Sequence, residues 1–392
     1  MTGTPAETSS PRIGVIGGGQ LARMLVEAAA TRQIDVVVQS SSRQDPAGQL
    51  VEEMVLADPV DAGASRELLD RCDGITFENE WVSIEGLRTH DRQGMQFRPS
   101  LSSLQPLVNK IHQRELLEEL AISGPAWVRL TSVDPAAPKL PKGWDFPVMA
   151  KAASGGYDGK GTRILRSVTC LKDLLDSVDA ENWLLESWIR FERELALVVS
   201  RDATGRVRAL PIAETHQCDQ VCDWVLAPAD VTQIVEATAY NIAASLLTKL
   251  DYAGVMAIEM FYGPEGLMVN EIAPRTHNSG HFSIEACHSS QFDQQLCITA
   301  NLDVPDPALR VPGALMVNLL GLASDRSSPL EQRLTALQEI PNLHLHWYGK
   351  TEETPGRKLG HVTVLLEGSD AAIRQSEATR AHNRIREIWP LP

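Results

Sequence analysis

The sequence predicts an α/β protein. It reads as a parallel sheet at the N-terminus, an α+β middle and a small C-terminal β-rich domain. Two patterns carry this. Arg12 to Gly19 is an apolar strand running into a glycine turn, followed by Leu21, Met24, Leu25 and Ala28 at helical spacing and then the β-branched run Val36 to Val38. Such a strand–helix–strand unit implies a parallel sheet with a right-handed crossover. Beyond residue 145 the pattern changes to strands joined by tight turns, which reads as antiparallel hairpins. At 392 residues, and roughly 100–200 residues per domain, two or three domains are expected.

The remaining elements follow in order. Ile75 to Phe77 is a strand ending in Glu78-Asn79-Glu80, and the first domain spans 12–108. Asn109 caps a helix running to about Leu120, with Ile111, Leu116, Leu117 and Leu120 as its buried stripe. Residues 132–145 form a connection. Phe146 to Lys151 and Thr162 to Leu165 flank a glycine loop as a hairpin with a long tip, and Trp183 to Ile189 is a further strand. Glu194 to Ser200 and Val207 to Glu214 form a hairpin about residues 201–205. A helix over 231–250 precedes a second hairpin, Val255 to Phe261 with Leu267 to Ala273. The middle domain is placed at 109–310, with a lid at about 132–187. The last unit, 311–392, holds short alternating segments such as Leu343 to Trp347 and Val362 to Leu366.

The chain is 43 % hydrophobic and 22 % charged, which excludes a disordered or fibrous protein. Lys and Arg number 36 against 51 Asp and Glu, a net charge of −15, so a broad nucleic-acid surface is not expected. Small anions remain possible ligands, because a few cations make a local basic pocket. No apolar run is long enough for a membrane helix, and Met1 to Ser10 reads as a frayed polar tail, not a signal peptide. The six cysteines lack framework spacing, which fits a reduced, cytoplasmic chain. Cys218 and Cys222 have no second pair, so zinc is not expected there.

Four features bear on chemistry. Gly17-x-Gly19-x-x-Ala22 satisfies a relaxed dinucleotide pattern, in which glycines let an anion approach a helix N-terminus. Gln39-Ser40 stands where the ribose-binding acid belongs, which argues against a dehydrogenase. The turn then serves either another phosphate or helix packing alone. The second feature, Gly155 to Gly161, has four glycines in seven residues and departs from a Walker loop; it reads as a phosphate flap or a plain surface turn. Lys151 ends the strand before it. Third, Glu259 and Asn270-Glu271 interrupt apolar strands, where a charge is costly unless paired or bound to metal. Symmetric pairing about the four-residue turn sets Glu259 opposite Asn270 and points Glu271 to the other face, so a bulge or register shift is needed to unite the acids. United, they suit Mg²⁺; the alternative is a buried ion pair. Fourth, Pro274 to His281 and Pro355 to His361 are donor-rich loops, and Arg357-Lys358 suits a phosphate monoester.

In this order, the features resemble the ATP-grasp superfamily of carboxylate–amine ligases over nearly the whole chain. Within it, six stretches are similar to the 5-(carboxyamino)imidazole ribonucleotide synthetase family: 17–24, 155–161, 270–275, 277–281, 344–348 and 356–361. The resemblance implies a ligase of purine biosynthesis that joins bicarbonate to 5-aminoimidazole ribonucleotide at the expense of MgATP, through carboxyphosphate. It implies that Lys110 and Lys151 hold the ATP phosphates, and that Gly155, Gly156, Tyr157, Asp158, Gly159, Lys160 and Gly161 close over them. Glu186, Ser187, Trp188 and Ile189 form the adenine-binding hinge, Glu194 takes the ribose and His216 approaches the nucleotide. Glu259 and Glu271 hold Mg²⁺ with Asn270. Arg275, Asn278 and Ser279 serve bicarbonate and carboxyphosphate, while Gln20, Glu78, Lys350, Arg357 and Lys358 bind the aminoimidazole ribonucleotide. The resemblance leaves open whether Glu78 or Glu80 faces substrate. A homodimer and a cytoplasmic location are implied, with neither nucleic acid nor membrane as partner. The competing readings are another ATP-grasp ligase, such as formate-dependent glycinamide ribonucleotide transformylase, a dehydrogenase and a non-catalytic nucleotide sensor.

Overall fold

The computed structural model describes residues 10–91, 97–155, 161–322, 328–350 and 352–392. Its first unit is the expected parallel sheet. Strands β1 (Arg12–Ile16), β2 (Asp35–Ser40), β3 (Met54–Leu56) and β4 (Gly74–Phe77) pair in the order β3-β2-β1-β4. Helix α1 (Gln20–Arg32) buries Leu21, Met24 and Leu25 against Ile13, Val15 and Val38. Helix α2 (Ala62–Arg71) is capped by Asp61. Short helices α3 (Ile84–Arg88) and α4 (Leu101–Leu104) lead to α5 (Lys110–Glu119), where the Asn109 carbonyl oxygen of the side chain accepts from the N–H groups of Ile111 and His112.

A small antiparallel sheet follows, taking in most of the segment 132–187. Strands β5 (Trp127–Arg129), β6 (Val148–Ala152), β7 (Thr162–Leu165) and β8 (Trp183–Ser187) pair in the order β5-β8-β6-β7, with α6 (Val168–Ser177) packed beside them. The β6–β7 pairing is the anticipated hairpin, whereas β8 stops at Ser187 rather than Ile189.

The large sheet departs further from expectation. Strand β9 (Arg193–Arg201) pairs with β10 (Val207–Ala209) and then with β11 (Ala213–Cys218). The predicted arm Val207 to Glu214 is therefore two strands, broken at Pro211, whose missing N–H cannot join the ladder. Strand β12 (Val221–Ala227), helix α7 (Gln233–Lys249) and the hairpin β13 (Gly254–Gly263) with β14 (Gly266–Ala273) follow. Helices α8 (Ser283–Ala286) and α9 (Gln291–Thr299) lead to β15 (Gly313–Leu320). Helix α10 (Leu330–Gln338), strands β16 (Leu343–Trp347) and β17 (Lys358–Leu366) and helix α11 (Ala371–Ile388) complete the chain.

The C-terminal strands do not make a sheet of their own. Their order is β14-β13-β9-β11-β12-β15-β17-β16, because β15 pairs with β12 over Trp224 to Ala227. All eight residues of β15 are buried, as a strand covered on both faces requires. Among the described residues no helix is long and apolar enough to cross a membrane.

Candidate active site

The hairpin β13–β14 builds the acidic end of the site. Pairing runs symmetrically from Gly263–Gly266 to Met260–Val269 and then shifts, so that Glu259 faces Glu271 and Asn270 is the extra residue. This is the bulge needed to unite the acids. Lys110, the first residue of α5, forms an ion pair with Glu271. Burial alone would raise the Glu271 carboxyl, but Lys110, Lys151 and Arg275 hold it down at about 2. Burial and the neighbouring charges of Glu271 and Glu194 push Glu259 up to about 7. The His277 Nε2 atom lies 3.6 Å from Glu259.

The two adjacent carboxylates are driven apart in pKa because the cations gather on Glu271 while Glu259 bears the burial and the like charges. Among the described residues no three His, Cys, Asp or Glu side chains converge to hold a metal unaided. Glu259 and Glu271, with the Asn270 amide between them, match the donors Mg²⁺ takes, one or two carboxylates with phosphate oxygens and water completing the shell.

Lys151, on β6, reaches the same end from the small antiparallel sheet. Its Nζ lies 2.8 Å from Glu186 Oε2 and donates to Asn270 Oδ1 at 3.0 Å. Burial lowers the Lys151 pKa despite Glu186, while the cations Lys151 and Arg114 outweigh burial and lower that of Glu186. The second partner of Glu186 is Arg114, whose Nε donates to Oε1 at 2.7 Å. Sequence reasoning missed Arg114. Its signal was a cation three residues from Ile111 and three from Leu117, within the apolar stripe of α5.

Of the segment expected to bind adenine, Glu186 is buried on β8, Ser187 ends that strand, Trp188 is exposed and Ile189 half-buried. Burial pushes Glu194 up to about 7, against a bond from Gln217. The exposed His216 stacks on Trp224 at 5.3 Å and lies 3.7 Å from Asp223, so its contacts are on β12. Gly155, at φ +77°, and Gly161, at φ +83°, bracket the glycine loop expected to act as a flap; Gly156, Tyr157, Asp158, Gly159 and Lys160 lie outside the described residues.

The N-terminus of α1 is occupied by the chain's own carboxylate. Glu78 accepts from the Gly19 N–H at 2.6 Å and the Leu21 N–H at 3.3 Å. A Cβ on Gly19 would come within 2.3 Å of Glu78 Oε1, and one on Gly17 within 2.5 Å of Glu78 Cβ. The turn, left open between a phosphate site and helix packing, is here a seat for Glu78. Burial outweighs these donors and raises the Glu78 pKa. Glu80 is committed elsewhere: Arg275 Nε donates to it at 2.6 Å.

Asn278 and Asn318 exchange two amide bonds, at 3.0 and 2.7 Å, and Ser279 Oγ lies 3.0 Å from His277 Nδ1. Asn318, fully buried on β15, was also missed; it sits in an otherwise apolar run. The segment after β16 docks on the first domain. Tyr348 packs into the α1 core, and its carbonyl accepts from Arg23 at 3.3 Å. Lys350 Nζ donates to the Lys358 carbonyl at 2.6 Å. Lys358 is close enough to Glu259 to lower its pKa, while Arg357 is exposed. Gln20 is half-buried at the start of α1.

The order of the domains and the fold they build define an ATP-grasp protein. Residues 115–292 match the ATP-grasp domain model, 11–106 the ribonucleotide synthetase pre-ATP-grasp domain and 314–375 the phosphoribosylaminoimidazole carboxylase C-terminal domain. The N5-carboxyaminoimidazole ribonucleotide synthase of Synechococcus elongatus is 44 % identical, covering 97 % of this chain and 96 % of its own. That of Mycobacterium tuberculosis is 35 % identical over 98 % of this chain and 92 % of its own. Carboxyaminoimidazole ribonucleotide synthase from Aspergillus clavatus, solved with ATP, superposes with a TM-score of 0.86 at 32 % identity, over 96 % of this chain and 100 % of that one. The same fungal enzyme, solved with ADP and 5-aminoimidazole ribonucleotide, gives 0.84 at 31 % identity and the same coverage. The chain belongs to the N5-carboxyaminoimidazole ribonucleotide synthase family of ATP-grasp ligases.

Proposed function

We propose that this chain carboxylates 5-aminoimidazole ribonucleotide, using ATP and bicarbonate, and yields the N5-carboxylated ribonucleotide, ADP and phosphate. The observation that carries this reading is the meeting of Lys110, Lys151, Glu259 and Glu271 at one end of the large sheet, with Lys358 of the C-terminal strands within electrostatic reach of Glu259. Nucleotide phosphates and a phosphorylated ribonucleotide are thereby directed to one place.

In the mechanism, a bicarbonate oxygen attacks the γ-phosphorus and ADP leaves, giving carboxyphosphate. The exocyclic amine then attacks the carboxyl carbon, either of carboxyphosphate itself or of the carbon dioxide it releases; inorganic phosphate leaves and the amine loses a proton. Lys110 and Lys151 orient the phosphates and offset the charge that gathers as anions approach one another. Glu259 and Glu271, with Asn270, hold Mg²⁺, which when bound neutralises the phosphate oxygens. Arg275, Asn278 and Ser279 hold bicarbonate and carboxyphosphate; Glu80 fixes the Arg275 guanidinium and Asn318 fixes the Asn278 amide. Glu186 to Ile189 and Glu194 hold adenosine, and His216 approaches it from β11. Gln20, Glu78, Lys350, Arg357 and Lys358 bind the ribonucleotide. The Gly155 to Gly161 flap excludes water, which would hydrolyse carboxyphosphate. A homodimer in the cytoplasm is the working state we assign.

ADP release tests the reading. With MgATP and bicarbonate, adding 5-aminoimidazole ribonucleotide stimulates release, and glycinamide ribonucleotide with formate does not. Stimulation by the second pair alone would transfer the chain to the transformylase reading.

A further inference from the structure

Arg114 lies outside every motif that carries the family resemblance, yet it joins three parts of the site. Its side chain is 5 % exposed. On one side Nε donates to Glu186, which also pairs with Lys151. On the other, Nη1 donates to the Val269 carbonyl at 2.9 Å and Nη2 to the Asn270 carbonyl at 2.6 Å. Val269 is the last residue in symmetric register and Asn270 is the extra one. Strand β14 is the edge of its sheet, so its outward carbonyls have no ladder partner. The neighbouring Gln113 supports the far side of the bulge: it donates to the Ile272 carbonyl at 2.9 Å and accepts from the Ile272 N–H at 3.1 Å.

We infer that Arg114 is a positioning residue: it pins the Asn270 bulge so that Glu271 stays on the face of Glu259, and ties that bulge to Glu186 and Lys151. A planar guanidinium suits this because two donors reach adjacent carbonyls while a third reaches a carboxylate. A lysine ammonium can hold the charge but not the fork. The inference rests on Glu259 and Glu271 being the cation-binding acids.

The test uses the full chain, ADP and Mn²⁺ as the probe, with bound Mn²⁺ counted by electron paramagnetic resonance and no turnover. Arg114→Lys and Arg114→Gln are compared with wild type, and circular dichroism and melting establish that each is folded. Both variants are expected to bind Mn²⁺ with ADP roughly 10–100-fold more weakly, the range for loss of a group that orients a metal ligand. In turnover, kcat falls while KM for 5-aminoimidazole ribonucleotide stays within about twofold, because that substrate's site is left intact. A folded variant with wild-type Mn²⁺ affinity overturns the inference. So does unfolding of both variants, which would make Arg114 a folding residue. Wild type that binds Mn²⁺ with ADP but shows no turnover with 5-aminoimidazole ribonucleotide would sink the carboxylase reading and leave the Arg114 comparison standing.

Discussion

Glu259 stands directly across the ladder from Glu271, and the extra residue Asn270 is what sets it there. Glu271→Gln keeps the shape but removes the charge that meets Lys110. Turnover is expected to fall on the order of 10²-fold or more, since a preorganised charge at the reacting phosphates is lost. Steady-state ADP release and circular dichroism check this. A folded variant near wild-type rate would make Glu271 a structural acid only.

The same pair predicts a pH dependence. A cation held by both acids needs both ionised, and Glu259 titrates at about 7. Affinity for MgADP should drop about tenfold between pH 8 and pH 6, and Glu259→Gln should flatten that slope. Unliganded stability runs the other way. The Glu259 value is raised from 4.5 to about 7, so its contribution is full below 4.5 and is lost as pH rises through 7. Glu271 is the reverse: lowered from 4.5 to about 2, it contributes above 4.5 and its share is lost as pH falls toward 2. Thermal melts of Glu259→Gln at pH 5 and pH 8 should show the variant relatively more stable at the higher pH. Equal differences at both would refute the assignment.

Gly17→Ala tests the seat of Glu78. Gly17 has φ +115°, and the added Cβ would come within 2.5 Å of Glu78 Cβ. Strain and overlap together should cost about 2–4 kcal/mol. Denaturant melts measure this, and a loss below about 1 kcal/mol would show that the turn adapts.

Asn318→Ala probes the support under Asn278. It removes both amide bonds and the bond from Asn318 Nδ2 to the Cys222 carbonyl at 2.8 Å. Leaving buried partners unsatisfied should cost about 1–3 kcal/mol. If Asn278 serves bicarbonate, KM for bicarbonate rises while that for ATP holds. Equal changes in both would place Asn318 in the general core.

Much of this was legible in local pattern. The alternation and capping around Asn109, the β6–β7 hairpin and the parallel N-terminal sheet all follow from spacing and side-chain type. The acids announced themselves because Glu259 and Glu271 are charges in apolar strands. Their register did not: counting from the turn shows that a bulge is needed to bring them together, but only the pairing with β13 shows that one is there and that Asn270 is the extra residue. Glu78 was named, but its seat on α1, like Arg114 itself, was opaque for a related reason: the partners lie 59 and 72 residues away. The uniformly buried β15 carries no period to read, so its place beside β12 came from neither motif nor moment.

That shared sheet has a consequence for how the chain can be cut. Ending the polypeptide before Gly313 would strip β12 of the partner that pairs Trp224 to Ala227, leaving a newly exposed edge. The apolar residues Leu226, Leu315 and Val317 belong to one cluster, so the same cut would also uncover β12's buried side. Open edges with apolar flanks template pairing between chains. The C-terminal strands are therefore not a detachable module, and a truncated chain should aggregate rather than survive as a smaller nucleotide-binding protein.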